Sequence, residues 1–375
     1  MRITLTRTSG LFAPVAALTF AMIAATTLTA GHAAAGTPSM VTAAGSTVQS
    51  APPAAGNVSS TSAKMQSFST MAMAETYWTP SRLAKASAAP KTTAAPKSAV
   101  GSTAPAPSAT APVRLTDIPA ASGSLAAAKP ETLTAKVTRP YTNRPDRLNG
   151  KVFFTEGGLD YVCSGTVVNS PNKDMIDTAG HCVSDGAGHF VTNWIFIPGY
   201  ASKPTGGTAG MYPYGIWTAR RLTTTAQWHY FGNIKEDLAY GVVSPLSNRH
   251  IAAYLGGQGT YFNASRNQVF SAFGYPQAAP FNGMDQRVSV SKRLGDDLSL
   301  GSLKGPLPMR IASNQTGGTS GGGWIVGISR TTGLGHVNGH NSYRYPSGPA
   351  ANSNQMYSPY YGNEALALYN YTRGL

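Results

Sequence analysis

The residues best suited to chemistry lie in Thr316-Gly317-Gly318-Thr319-Ser320-Gly321-Gly322-Gly323-Trp324, where Ser320 is the one strong nucleophile. The run is too rich in glycine for a helix or a well-packed strand, and glycine leaves the backbone open to close approach. A serine on such a turn can present its Oγ while neighbouring N–H groups point at one spot. Acyl transfer needs that layout, an attacking oxygen beside donors that stabilise the oxyanion. Taken alone, the pattern also fits a flexible surface loop.

A base for this nucleophile is offered upstream. Cys163-Ser164-Gly165-Thr166-Val167-Val168 is followed by Ile176-Asp177-Thr178-Ala179-Gly180-His181-Cys182. These are the only two cysteines of the chain, and a disulfide between Cys163 and Cys182 would fix the turn of His181 against the neighbouring strand. An imidazole that takes a proton must be held in one tautomer, which a buried carboxylate on its other nitrogen does. Asp185, Glu236, Asp237, Asp285, Asp296 and Asp297 lie between His181 and Ser320. Asp185 is too close to the histidine, in a glycine-rich hairpin, and Asp285, Asp296 and Asp297 read as polar loops with no strand to fix them. Asp237 opens the apolar run Leu238-Ala239-Tyr240-Gly241-Val242-Val243 and is the acid of choice. Glu236 is the runner-up, since strand alternation points it the other way.

The three motifs, Cys-x-Gly, then Thr-Ala-x-His-Cys, then Gly-x-Ser-Gly-Gly, occur here in the order of the chymotrypsin-like serine proteases, which the chain resembles over residues 137 to 375. α/β-Hydrolases run Ser, Asp, His instead. The resemblance implies that Ser320 attacks, His181 moves the proton and Asp237, placed as the family's Asp-(Leu/Ile)-Ala, orients the imidazole. It also implies that the N–H groups of Gly318 and Ser320 form the oxyanion hole. Two departures stand out. The digestive branch has Asp where this chain has Thr319, so its activating ion pair is not expected, and the chain resembles most the bacterial glutamyl-endopeptidase-like branch. A Pro often stands where Gly323 is, and glycine there should loosen the turn. The resemblance places the base of the specificity pocket near Asn314, with walls from Gln315, Thr316 and the Gly335–His340 stretch, chiefly Val337, Asn338 and Gly339. Asn314 in place of an Asp argues against strong Arg/Lys preference. His336 and His340 lie near the position of a glutamate-reading histidine, although the register puts Val337 there. Their spacing would suit a metal on a helix, but the stretch is too glycine-rich to be helical. Neither a metal nor any other cofactor is expected.

The elements that must position these residues read as strands. Lys151–Thr155, Tyr161–Val168, Asp174–Ala179, Asn193–Pro198, Gly215–Ala219, Leu238–Val243, Gln268–Phe273, Arg287–Ser291 and Trp324–Ile328 recur between turn signals, as in a β sandwich or barrel. Only Glu364–Tyr369 looks helical, with Asn363 as cap and Gly374 as stop. The fold class is therefore all-β. The resemblance sharpens it to two antiparallel β-barrels, residues 150–248 and 255–361, a short C-terminal helix and a disordered N-terminal segment.

That segment has its own signature. Arg2 and Arg7, the apolar run Leu11–Ala25 and Ala33-Ala34-Ala35 read as a signal peptide, residues 1–35. Residues 36–136 are dominated by Ala, Pro, Ser and Thr and bury too little apolar surface to fold alone. The island Met65–Leu83, with Tyr77-Trp78-Thr79-Pro80, suggests a short docking element. Bacterial relatives carry a similar Trp-Thr-Pro element, so the region reads as a propeptide. Only 12% of residues are charged, and 41 Gly with 26 Pro argue against a helical bundle. Of the net +14, residues 137–375 hold 19 basic and 12 acidic groups, a net of +7. These charges are scattered, so nucleic acid is not an expected partner. Protein or peptide substrates are expected, as is a secreted monomer with no membrane anchor after leader removal. Its cationic surface could hold it to a cell wall. An inactive family member that binds a partner, and an esterase using the same three residues, are the rival readings.

Overall fold

The structure, a computed structural model, describes residues 60–64, 74, 76–89, 111–115, 131–201, 211–301, 303, 305–345, 347 and 352–375. The expected signal peptide lies outside them. The described part of the N-terminal region contributes β1 (Ser60–Lys64), α1 (Pro80–Lys85), β2 (Ser87–Ala88), β3 (Val113–Leu115) and β4 (Thr132–Lys136). From there the chain is built almost wholly of strands.

The first barrel comprises β5 (Asn149–Glu156), β6 (Leu159–Val168), β7 (Met175–Ala179), β8 (Thr192–Pro198), β9 (Trp217–Thr225) and β10 (Leu238–Val243). Its order is β9-β10-β7-β6-β5-β8, and β8 pairs back to β9, closing six strands. The β5–β6 hairpin turns on Gly157 and Gly158, both at positive φ, the conformation a two-residue turn demands. Along β5 the period of two points Val152 and Phe154 into the core with Cys163, Ile176, Trp194 and Phe196. Phe153 and Lys151 face outward, yet both are buried.

The second sheet contains β11 (Gly259–Phe262), β12 (Val269–Gly274), β13 (Arg287–Asp296), β14 (Met309–Ala312), β15 (Gly323–Val326), β16 (His336–His340) and β17 (Gln355–Ser358). It runs β17-β14-β13-β12-β15-β16-β11-β3, with β4 on β13. Its own core includes Phe270, Met309, Ile311 and Trp324. A third cluster, from Leu238, Tyr240 and Val242 to Phe262, Ile325, Val337 and Leu368, joins the two halves. The two-barrel, chymotrypsin-like architecture is as expected, but two pairings are parallel, β11 with β16 and β2 with β6.

Several local details differ from the sequence reading, which did not give β11, β14 or β17. The short helices α2 (Ala226–Phe231) and α3 (Ile251–Leu255) lacked a long enough period to be seen. The last helix, α4, spans Asn363–Thr372 with Gly362 at its cap, and Asn363 instead accepts a bond from Asn263 Nδ2 at 2.8 Å. Asp296 lies at the end of β13, bound to Arg266 and Arg293, rather than in a free loop. Within the N-terminal region, β1, β2, β3 and β4 gain order by pairing with β9, β6, β11 and β13, borrowing partners that the region cannot supply itself.

Candidate active site

The register of β7 and β10 brings the first two residues together. Ala179 pairs with Leu238, so the turn after β7 meets the residue before β10. That turn is Gly180–Cys182 and carries His181. The His181 backbone N–H donates to Asp237 Oδ1 at 2.7 Å, and Nδ1 lies 2.9 Å from Oδ2. One carboxylate thus fixes both the turn and the ring. With the proton held on Nδ1, Nε2 carries the lone pair, and this buried atom has no partner among the described residues.

Asp237 is fully buried, which by itself would raise its pKa. The charge and hydrogen bond of His181 and the Ser342 hydroxyl outweigh burial and hold it below the usual carboxylate range. Ser342 Oγ donates to Oδ2 at 2.5 Å, and His340 Nε2 lies 2.9 Å from the Asp237 carbonyl oxygen. His340 Nδ1 is 2.8 Å from Tyr361 Oη, which is 2.6 Å from Asp177 Oδ1. Burial pushes Asp177 well up, against the Tyr361 bond, and takes His340 down to about 4. A neutral imidazole therefore backs the charged carboxylate. The other acids are engaged elsewhere: Asp185 with His189, Asp285 with Lys136 and Arg139, and Asp297 with Tyr343 and Tyr345.

Ser320 sits on the second sheet's side, against the residue that follows the histidine. Its carbonyl accepts from Ser164 N at 2.6 Å and lies 3.7 Å from Cys182 Sγ. Gly321 abuts the end of β7: at φ +79°, a Cβ there would come 2.2 Å from Thr178 Oγ1. The turn before Ser320 is fixed just as firmly. The Gly317 carbonyl accepts from Gln277 N and Ala278 N at 2.7 and 3.1 Å. In a trans peptide the next N–H points the opposite way, so the Gly318 N–H faces away from Gln277. Neither this N–H nor that of Ser320 has an acceptor among the described residues. Gly318 stands at φ +98°, where a Cβ would meet Tyr275 O at 2.8 Å. Ser164 Oγ donates to its carbonyl at 2.9 Å.

The Cys163–Cys182 disulfide is formed and ties β6 to the histidine turn. Cys163, His181 and Cys182 cluster as metal ligands do, but both sulfurs are spent in the disulfide. His336 and His340 lie on a strand, and His340 faces Asp237 rather than a pocket. Thr319 is held by neutral bonds, donating to Gln315 Oε1 at 2.7 Å and accepting from Asn341 Nδ2 at 2.9 Å. Gly323 uses the N–H that a proline would lack, donating to Thr166 Oγ1 at 3.0 Å, so the turn is held rather than loosened.

Around the pocket the residues separate. Asn314 is half-buried with its Oδ1 unpartnered among the described residues, and Thr316 is buried, its Oγ1 donating to the Ala278 carbonyl. The Gln315 side chain turns inward to Ala272 O and Ser289. Val337 packs into the core between the halves, Asn338 donates to Tyr261 O, and Gly339 backs on Ser358 and Trp324. These three sit in mid-β16, and the chain passes the Ser320 turn only farther on. Asn341 exchanges backbone bonds with Gly321 and Gly322, Ser342 reaches Asp237, and Arg344 Nη1 donates to Gln315 O at 3.1 Å. The segment that meets the Ser320 turn and Asp237 is thus Asn341–Ser342, past the Val337–Gly339 stretch named from the sequence. Ser164, Tyr361 and Asn341 were missed, being supports that carry no motif, and His340 was singled out but not as a support of Asp237.

No protein-family model and no curated protein sequence matches the chain. Among solved structures it is similar to the protease Anisep from Arthrobacter nicotinovorans, at 38% identity and a TM-score of 0.55, covering 62% of this chain and 99% of that one. It is likewise similar to the thermostable serine protease AL20 from an extremophilic microorganism, at 34% identity and a TM-score of 0.53, covering 61% of this chain and 98% of that one.

Proposed function

Since the chain belongs to the bacterial serine proteases with the chymotrypsin-like fold, we propose that it is a secreted serine endopeptidase whose working groups are Ser320, His181 and Asp237. The observation that carries this reading is the double clamp of His181 on Asp237, with Nε2 left unpartnered beside the Ser320 turn. Ser320 Oγ attacks the scissile carbonyl and passes its proton to Nε2. The oxyanion is received by the N–H groups of Gly318 and Ser320. Imidazolium, stabilised by Asp237, then protonates the leaving amine, and water releases the acyl group from Ser320 by the same steps in reverse order. Export is supported by the leader-like start and by the disulfide, which suits an oxidising compartment. Among the described residues no helix is long and apolar enough to cross a membrane.

Turnover of internally quenched peptides and of simple esters by the processed protein tests the reading. Peptide hydrolysis abolished by Ser320→Ala is expected. Ester hydrolysis without any peptide hydrolysis would move the assignment to an esterase, and neither activity would favour a binding protein.

A further inference from the structure

Residues 77–89 have no part in this chemistry, yet they are built against the site. Trp78 is 3% exposed, packs tilted against Phe153 with ring centroids 5.5 Å apart, and donates from Nε1 to Asn193 O at 2.6 Å. Tyr77 Oη and Arg82 Nη1 both bind Asp160, at 2.7 and 3.0 Å. Thr79 caps α1, whose Leu83, with Ala86 after it, completes an apolar cluster with Phe153, Ile195, Ile197 and Tyr200. This explains why the outward face of β5 is buried. Farther on, the Ala86 carbonyl accepts from Gln277 Nε2, and Ser87–Ala88 pairs with Tyr161–Val162. Ala89 N donates to Val162 O at 3.1 Å, and Ala89 packs in the cluster that holds Cys163 and Cys182. The Ala88 methyl lies 3.0 Å from where a Cβ on Gly317 would stand, so it rests on the glycine before Gly318. His181 and Ser320 are themselves only 5% and 3% exposed.

Direction follows from the chemistry. The imidazole that protonates the leaving amine is His181, so the leaving half of a substrate must lie on the side of His181 and its disulfide. Val162 is the residue before Cys163, and its carbonyl is an edge acceptor on that side. Ala89 already takes it. A peptide leaving group and residues 86–89 therefore compete for the same backbone edge and the same space over Gly317.

We propose that the leaving-group side of the cleft is a peptide-binding groove, with an apolar pocket for a large aromatic anchor and room for small residues at the reacting end. In the unprocessed chain this groove is filled in cis by residues 77–89, which shut off hydrolysis. The proposal rests on the endopeptidase reading. Trp78 is its main anchor, and loss of a buried tryptophan weakens such docking by about 100-fold or more.

The test uses the full chain with a site-specific protease sequence inserted between Ala89 and Val113. Hydrolysis of a pool of internally quenched peptides is compared before nicking and after nicking and removal of the N-terminal fragment, with fluorophosphonate titration counting active sites. The intact chain is expected to run at least about 100-fold slower. A synthetic peptide of residues 74–89 should inhibit the nicked enzyme competitively, and its Trp78→Ala version about 100-fold more weakly. Equal hydrolysis by intact and nicked chains, or no inhibition by the peptide, overturns the groove and leaves the enzyme standing. A nicked chain that neither hydrolyses nor titrates overturns both.

Discussion

At the scale of residues, the arrangement assigns a separate duty to each atom of Asp237. Oδ1 holds the His181 backbone, Oδ2 holds its ring and the Ser342 hydroxyl, and the carbonyl meets His340. Asp237→Asn should keep the fold but present a donor to a ring nitrogen that is itself a donor. The tautomer then reverses, and kcat is expected to fall roughly 10,000-fold while KM changes little. Steady-state kinetics with one peptide checks this. On the proposed function, Arg344 is the candidate reader of the substrate side chain. Its guanidinium lies half-buried over the Asn314 and Gln315 carbonyls, with no carboxylate partner among the described residues. Burial lowers its pKa without unseating the charge. An acidic substrate side chain would supply the missing anion, so Arg344→Gln should cost about 10- to 100-fold in kcat/KM for acidic peptides and spare neutral ones. Equal losses for both classes would remove Arg344 from substrate reading. Ser320, His181 and Asp237, the residues of the proposed chemistry, were legible as candidates in the sequence because each sits in a short motif whose glycine, cysteine or apolar neighbours betray its local geometry. Ser342 and Arg344 were not, because their role depends on where β16 ends in space.

At the scale of elements, one register does most of the assembly. Pairing of Ala179 with Leu238 sets His181 beside Asp237, and a slip of one residue would turn both strands' side chains to the wrong faces. The chain of Asp177, Tyr361 and His340 backs this register from the second sheet and the approach to α4. Its signature is a pH dependence. His340 titrates near 4 in the fold and near the ordinary 6.5 when unfolded. Between those values the unfolded chain binds more protons, so this contribution is fully present above pH 6.5 and is lost as pH falls towards 4. The loss is worth about 3 kcal/mol, and His340→Gln should remove that part of the acid sensitivity while lowering stability at neutral pH. Denaturant melts at pH 7 and pH 4.5 measure it. Nine of the strands, β5 to β10, β12, β13 and β15, followed from alternation and turn residues, whereas β11, β14 and β17 were not read. The short strands β1 to β4 could not be read, since their partners lie far along the chain and local composition pointed to no structure.

At the scale of the whole molecule, two barrels alone do not account for the outward face of β5. Phe153 and Lys151 lie there beneath the N-terminal region, and Lys151 Nζ reaches Gln277 Oε1 at 3.1 Å and the Gly283 carbonyl at 3.3 Å. Burial takes its pKa down to about 7. The unfolded chain, titrating near 10.5, binds more protons between these values, so stability should rise with pH from 7 to 10 by about 3 kcal/mol on this account. Lys151→Met should flatten that rise in pH-dependent melts. Composition marks residues 36–136 as unlike a folded domain, and burial of Trp78 and Leu83 shows that a borrowed surface can order part of such a segment.

The central claim is that Ser320 is a nucleophile activated by His181. Labelling of the processed protein with a fluorophosphonate probe, followed by peptide mapping, tests it most directly. The account predicts one adduct on Ser320, absent in Ser320→Ala and slowed at least about 1,000-fold in His181→Ala. No adduct on the processed wild type, or an adduct on another residue that survives Ser320→Ala, would contradict it.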